Sequence, residues 1–165
     1  ISLYLIPIFF FLAVNNVNIF KKEIKFFIIS SVVFSILVFI FSYSFDYNYA
    51  LGGGFMLKLS RILFNNNFLF YISSVLGLVL LTYLSKDSIN NLIIILLLLF
   101  GYGALVIFQK YFEPIFIFIF FLLIQSKVSS EFLKNYKNIL YLYFYFIVYL
   151  ASAIINSFFE LTKNI

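Results

Sequence analysis

Apolar blocks long enough to cross a bilayer recur along this chain, and short connections between them hold nearly all of its charge. A helix rising 1.5 Å per residue needs about 20 residues to cross roughly 30 Å of hydrocarbon. Six blocks can be drawn, residues 2–14, 26–43, 68–85, 92–108, 114–126 and 139–158, and four of them reach that length. Hydrophobic side chains make up 65% of the 165 residues and charged ones 10%, with mean hydropathy +1.13. A soluble core of this size has no room for so much apolar surface, whereas a bilayer accepts it on the outside. The expected fold class is all-α: a polytopic transmembrane helix bundle of about six spans, with one interfacial amphipathic helix. Residues 1–165 read as a single transmembrane domain.

Two blocks depart from the ideal length. Residues 2–14 read as the end of a span whose start lies upstream, which makes the chain part of a longer membrane protein. A cleaved signal peptide is the alternative, but the charged n-region and small-residue cleavage site are lacking. Residues 114–126 are short. They span if Lys110 and Lys127 snorkel or the bilayer thins, and otherwise form a half-helix buried against neighbours. The short span is the favoured reading.

The chain has no cysteine and no histidine. Thiol nucleophiles, disulfides, Cys/His zinc sites and imidazole acid–base chemistry are therefore excluded within these residues. Proton transfer here falls to Glu23, Asp46, Asp87, Glu113, Glu131 or Glu160, and neither a metal nor a cofactor is expected. Net charge is +5, yet the lysines sit between apolar blocks. That pattern points to membrane topology and membrane lipid as partner rather than nucleic acid.

Alternating connections give one side Lys21, Lys22, Lys25, Lys86, Lys127, Lys134 and Lys137, and the other Lys58, Arg61, Lys110 and Lys163. Seven against four favours residues 15–25, 86–91 and 127–138 as cytoplasmic loops of an inner or plasma membrane protein. Residues 44–67, 109–113 and the tail then face outward.

Two outer segments carry candidate chemistry. In the first, Phe55, Met56, Leu59, Ile62 and Leu63 repeat at helical spacing, with Lys58 and Arg61 three apart on a neighbouring edge. Gly52, Gly53 and Gly54 permit a tight turn into this helix, and Asn65, Asn66 and Asn67 stop it before the next block. An amphipathic helix lying among headgroups explains the pattern. It either only anchors the loop, or grips a lipid-carrier phosphate through Lys58 and Arg61 with Asp46 near the reacting sugar. In the second segment, Gln109-Lys110-Tyr111-Phe112-Glu113-Pro114, opposite charges lie within one turn between apolar blocks. Pro114 suits the first position of the next helix, and Glu113 complements its positive end. A hairpin whose charges reach headgroups and a carrier-binding turn are both consistent with it. On this topology Asp46, Lys58, Arg61, Lys110, Tyr111 and Glu113 face one compartment. Tyr141, Tyr145 and Tyr149 recur every four residues in the last block and predict an aromatic packing face.

The turn from Gln109 to Pro114, opening an aromatic–aliphatic span, resembles the late outer loops of GT-C glycosyltransferases. The amphipathic stretch 55–64 is similar to their interfacial "jaw" helices. The likeness covers roughly residues 46–125 and rests on short motifs. It implies an integral membrane enzyme that transfers a sugar from a polyprenyl-phosphate-linked donor at the outer face. It also implies a binding role for Lys110, Tyr111, Lys58 and Arg61. The family's catalytic acid lies in its first outer loop, which places that carboxylate upstream of Ile1 and leaves Asp46 without the role. The alternatives are a transporter or flippase for lipid-linked glycans, an O-antigen-type polymerase or ligase, and a non-catalytic membrane subunit. The complete blocks contain no Asp, Glu, Lys or Arg at mid-depth, which disfavours ion-coupled transport.

Overall fold

The computed structural model describes residues 2–15, 21–42, 54–100 and 115–163. Every regular element among them is helical. In chain order these are α1 (Ser2–Asn15), α2 (Ile24–Ser42), α3 (Gly54–Phe64), α4 (Phe68–Ser85), α5 (Ile89–Phe100), α6 (Ile115–Leu123), α7 (Lys127–Lys134) and α8 (Tyr136–Lys163). The all-α class stands.

Helix α4 is the hub, packing against α1, α2, α3 and α5. It is long and apolar enough to cross a membrane. Segments Leu3–Val14, Ile24–Ile40 and Ile89–Leu98 are apolar but shorter, and α6 with α7 reaches spanning length only as one broken unit. The last apolar block lies inside α8, whose 28 residues make about 42 Å of helix.

Burial is partly inside out. On α2 the buried position among the described side chains is Ser30, while Ile28, Ile29, Val32, Val33, Ile36 and Phe39 are exposed. The Ser30 hydroxyl donates to the Phe26 carbonyl one turn back, at 2.6 Å. Along α8, Leu140, Phe144, Ile147, Val148 and Leu150 are likewise exposed. The fully enclosed side chains include Asn91, Asn138 and Ser60 alongside Phe116, Phe120 and Phe132.

Those enclosed polar groups all find partners: among the described residues no buried side-chain nitrogen or oxygen is left without one. Asn91 shows how. Its amide nitrogen donates to the Leu84 and Gln125 carbonyls at 3.1 and 2.9 Å, and its oxygen accepts from the Gln125 N–H at 3.0 Å. Gln125 lies in the extended break after α6, where helical bonding has stopped, so Asn91 satisfies backbone that would otherwise be orphaned.

That break corrects the expectation for residues 114–126. Helix α6 stops at Leu123, closing on a wide π turn in which the Ile124 N–H donates to the Ile119 carbonyl at 2.9 Å. The chain then bends by 93° into α7. A straight short span through Ser126 does not form; Phe116 and Phe120 of α6 are buried, while Ile115, Phe118, Leu122 and Leu123 are exposed. The connection 127–138 is not an irregular loop either. Ser126 caps α7, its hydroxyl accepting from the Ser129 N–H at 3.0 Å. Val128, Ser129 and Phe132 turn inward beneath it. Asn138 closes the far end, donating to the Phe132 carbonyl at 3.2 Å.

Helix α1 holds Pro7 in its interior. Proline has no N–H, so the Leu3 carbonyl four residues back loses its helical donor. The Tyr145 hydroxyl supplies one, donating to Leu3 at 3.1 Å. Tyr141 packs on Phe11 with ring centroids 5.4 Å apart, and Tyr149 meets Phe55 edge-on at 5.1 Å. The three tyrosines thus form a packing face on α8, as their spacing implies.

Replacing Asn91 by alanine strands three backbone groups and should lower stability by about 3 kcal/mol, whereas Asn90→Ala on the exposed side stays within about 0.5 kcal/mol. Thermal unfolding of both variants in detergent micelles checks the difference.

Candidate functional site

The amphipathic segment expected at 55–64 is helix α3, and a three-asparagine corner joins it to α4. Asn65 has φ 52°, the left-handed conformation that asparagine tolerates better than most residues. Its N–H still donates to the Arg61 carbonyl at 3.0 Å. Ser60, fully buried, then clips the corner shut: its hydroxyl donates to the Asn66 carbonyl at 2.8 Å and accepts from the Leu69 N–H at 3.0 Å. Asn66 Oδ1 accepts from the Phe68 N–H at 3.0 Å, satisfying one of the free donors that open α4.

The two cations on α3 differ in role. Arg61 is half-buried and its Nε donates to Asn67 Oδ1 at 2.9 Å, which ties the helix to the corner. Lys58 is exposed. One turn further, Ile62 is 74% exposed, followed by exposed Leu63 and Phe64. Residues four apart on a helix are neighbours, so Lys58 stands beside bare aliphatic surface. The inward face is centred on Leu57 and Ser60 rather than on the apolar repeat itself. Of that repeat, Phe55 and Met56 pack toward the core, while Ile62 and Leu63 point away from it. A cation adjoining exposed aliphatic side chains can meet a phosphate and its hydrocarbon tail together.

Of the expected site residues, the structure brings Lys58 and Arg61 together on one helix. Asp46, Lys110, Tyr111 and Glu113 lie outside the described residues. Among those described, no group of three or more Asp or Glu side chains is placed to hold a metal ion.

A second polar cluster occupies the opposite end of α4. Lys86 Nζ bonds Glu23 Oε2 at 2.6 Å and lies 5.2 Å from the centroid of the Phe26 ring. Asp87 Oδ2 accepts from the Lys127 N–H at 2.9 Å, placing an acid at the positive end of α7. Beneath them Tyr83 contacts the rings of Phe9, Phe26 and Phe27 at 5.9, 6.0 and 5.1 Å. Connections 15–25, 86–91 and 127–138, grouped by their lysines, therefore meet through described residues of each. The part played by Asn91 escaped sequence reasoning, because an asparagine opening an apolar helix reads as an end of a loop. Ser126 left a clearer signal, a capping residue three positions before Ser129.

No family model matches the chain, and no curated protein or solved structure matches it.

Arg61→Ala should cost about 1 kcal/mol by releasing Asn67, and Lys58→Ala should leave stability within about 0.5 kcal/mol. Unfolding midpoints in detergent separate the positioning cation from the exposed one.

Proposed function

We propose that this chain forms part of a multi-pass inner or plasma membrane glycosyltransferase that uses a polyprenyl-phosphate-linked sugar at the outer membrane face. In this reading α1, α2, α4, α5 and α8 belong to the bundle of about six spans, α6 enters it as the first arm of a broken segment, and α3 is its interfacial helix. The exposed aliphatic faces of α2 and α8 support the bilayer setting, because water penalises such surfaces and lipid does not.

The observation that carries the proposal is Lys58 beside Ile62, on a helix clipped to the end of α4 away from the Glu23–Lys86 pair. A lipid-linked donor presents a phosphate joined to a long apolar chain. Lys58, with Arg61 holding its helix in place, suits the first part, and exposed Ile62 and Leu63 suit the second.

In the proposed reaction an acceptor hydroxyl attacks the anomeric carbon, and the bond from that carbon to the phosphate oxygen breaks. The phosphate leaves with the electron pair, and a carboxylate takes the hydroxyl proton. Cations at the departing phosphate stabilise the charge that develops there. Lys110, Tyr111 and Glu113 of the second outer segment, together with Asp46, complete the proposed donor site.

The bend between α6 and α7 favours a second reading, a flippase for lipid-linked glycans, since broken helices build transport sites near the bilayer midplane. This break lies instead beside Asp87 and Lys127, with its freed backbone already held by Asn91.

The full-length protein in proteoliposomes, supplied with a polyprenyl-phosphate-linked sugar and an acceptor, tests the choice. Lys58→Ala and Lys110→Ala should each reduce kcat/KM for the donor about 10- to 100-fold, the worth of one charge-assisted contact. Unchanged transfer in both variants removes the site. Donor movement across the bilayer without transfer replaces the enzyme by a transporter.

A further inference from the structure

The charged end of the bundle has a surface that the sugar chemistry leaves unused. Seven lysines (Lys21, Lys22, Lys25, Lys86, Lys127, Lys134 and Lys137) gather there against Glu23, Asp87 and Glu131, an excess of four positive charges. Lys86 is paired with Glu23, and Lys134 with Glu131. Among the described residues the remaining five have no acidic side chain in bonding range.

Helix α7 gives this charge a shape. Its inner face, Val128, Ser129 and Phe132, is buried, and the helix packs against α1 and α8. Lys127, Ser130 and Lys134 recur at three and four residues along its exposed edge, two turns and about 10 Å from end to end. Leu133 on α7 and Tyr136, the first residue of α8, are exposed, 48% and 67%. The 93° bend turns α7 across the direction of α6. A firmly seated helix lying crosswise, with cations along one edge and bare apolar groups next to them, matches a headgroup layer rather than bulk water.

We infer that α7, with Lys127, Lys134 and Lys137, is a docking site for anionic phospholipid headgroups. The lysines take the headgroup phosphates, and Leu133 and Tyr136 lie against the upper acyl chains. Lys21, Lys22 and Lys25, joined to this surface through the Glu23–Lys86 pair and the Asp87–Lys127 bond, enlarge the attracting field. The site rests on the membrane placement proposed above and is independent of sugar transfer.

The full-length protein, reconstituted in phosphatidylcholine vesicles with and without phosphatidylglycerol, is re-extracted in mild detergent, and the retained lipids are identified by native mass spectrometry. Wild type should retain phosphatidylglycerol over phosphatidylcholine by about tenfold at low ionic strength, and the preference should fade as salt rises. The triple variant K127Q/K134Q/K137Q should lose most of that preference, and K127R/K134R/K137R should keep it. If the glutamine variant fails to fold, the salt titration of wild type and the arginine variant decide the matter. Equal retention of both lipids by wild type overturns the inference. So does an undiminished preference in a folded glutamine variant, or a lipid-free dimer in place of a lipid complex. A protein that never enters vesicles defeats the membrane placement itself, whereas one that enters without preference defeats only this site.

Discussion

A backbone carbonyl or amide with no partner is expensive in apolar surroundings, and the fold is organised around the places where helical bonding fails to supply one. Three side chains make up the deficit. Asn91 serves the break at Gln125, Ser60 serves the corner at Asn66 and Leu69, and Tyr145 serves the carbonyl that Pro7 leaves open. Each joins segments that apolar contact alone would let slide. Leucine and phenylalanine fill the space between helices, but they pack almost as well after a small shift, whereas a bond to one named carbonyl does not survive it.

Hydroxyls inside the helices follow the same logic on a smaller scale. Ser30, Ser73, Ser74, Thr82 and Ser85 return their hydroxyls to carbonyls three or four residues earlier. Their polarity is thereby absorbed within one helix, and they can face neighbours or lipid without a separate partner. Groups that cannot be absorbed locally collect at the two ends of α4: the asparagine corner at one, the Glu23–Lys86 and Asp87–Lys127 contacts at the other. The apolar length between them is the segment long and apolar enough to cross a membrane.

Much of this was legible beforehand. Helix α4 runs from Phe68 to Ser85 as expected, because Asn67 and Lys86 punctuate a continuous apolar run. Helix α3 occupies Gly54–Phe64, since its lysine and arginine interrupt the apolar repeat at helical spacing. The tyrosine period on α8 foretold a packing face. What stayed hidden was which side of the longer helices turns inward. Helices such as α2 are apolar all round, so no stripe marks a core face, and tertiary contact alone selects Ser30 for burial. The 93° bend was equally unreadable as a bend: Ile124 and Gln125 carry no breaker signal, and the turn depends on Asn91, 34 residues away. Of the candidate site, the Lys58/Arg61 edge was visible, but the division between an exposed and a tethered cation needed the position of Asn67.

The pairing of Leu3 with Tyr145 has a consequence for biosynthesis. The acceptor is made 142 residues before its donor. At roughly 5–20 residues per second, an interval on the order of ten seconds separates their emergence from the ribosome. Throughout that delay the open carbonyl of α1 needs water or an insertion factor beside it. The open position on α1 thus stays unfilled until α8 has been made, so this tie between the two helices is among the later ones to close.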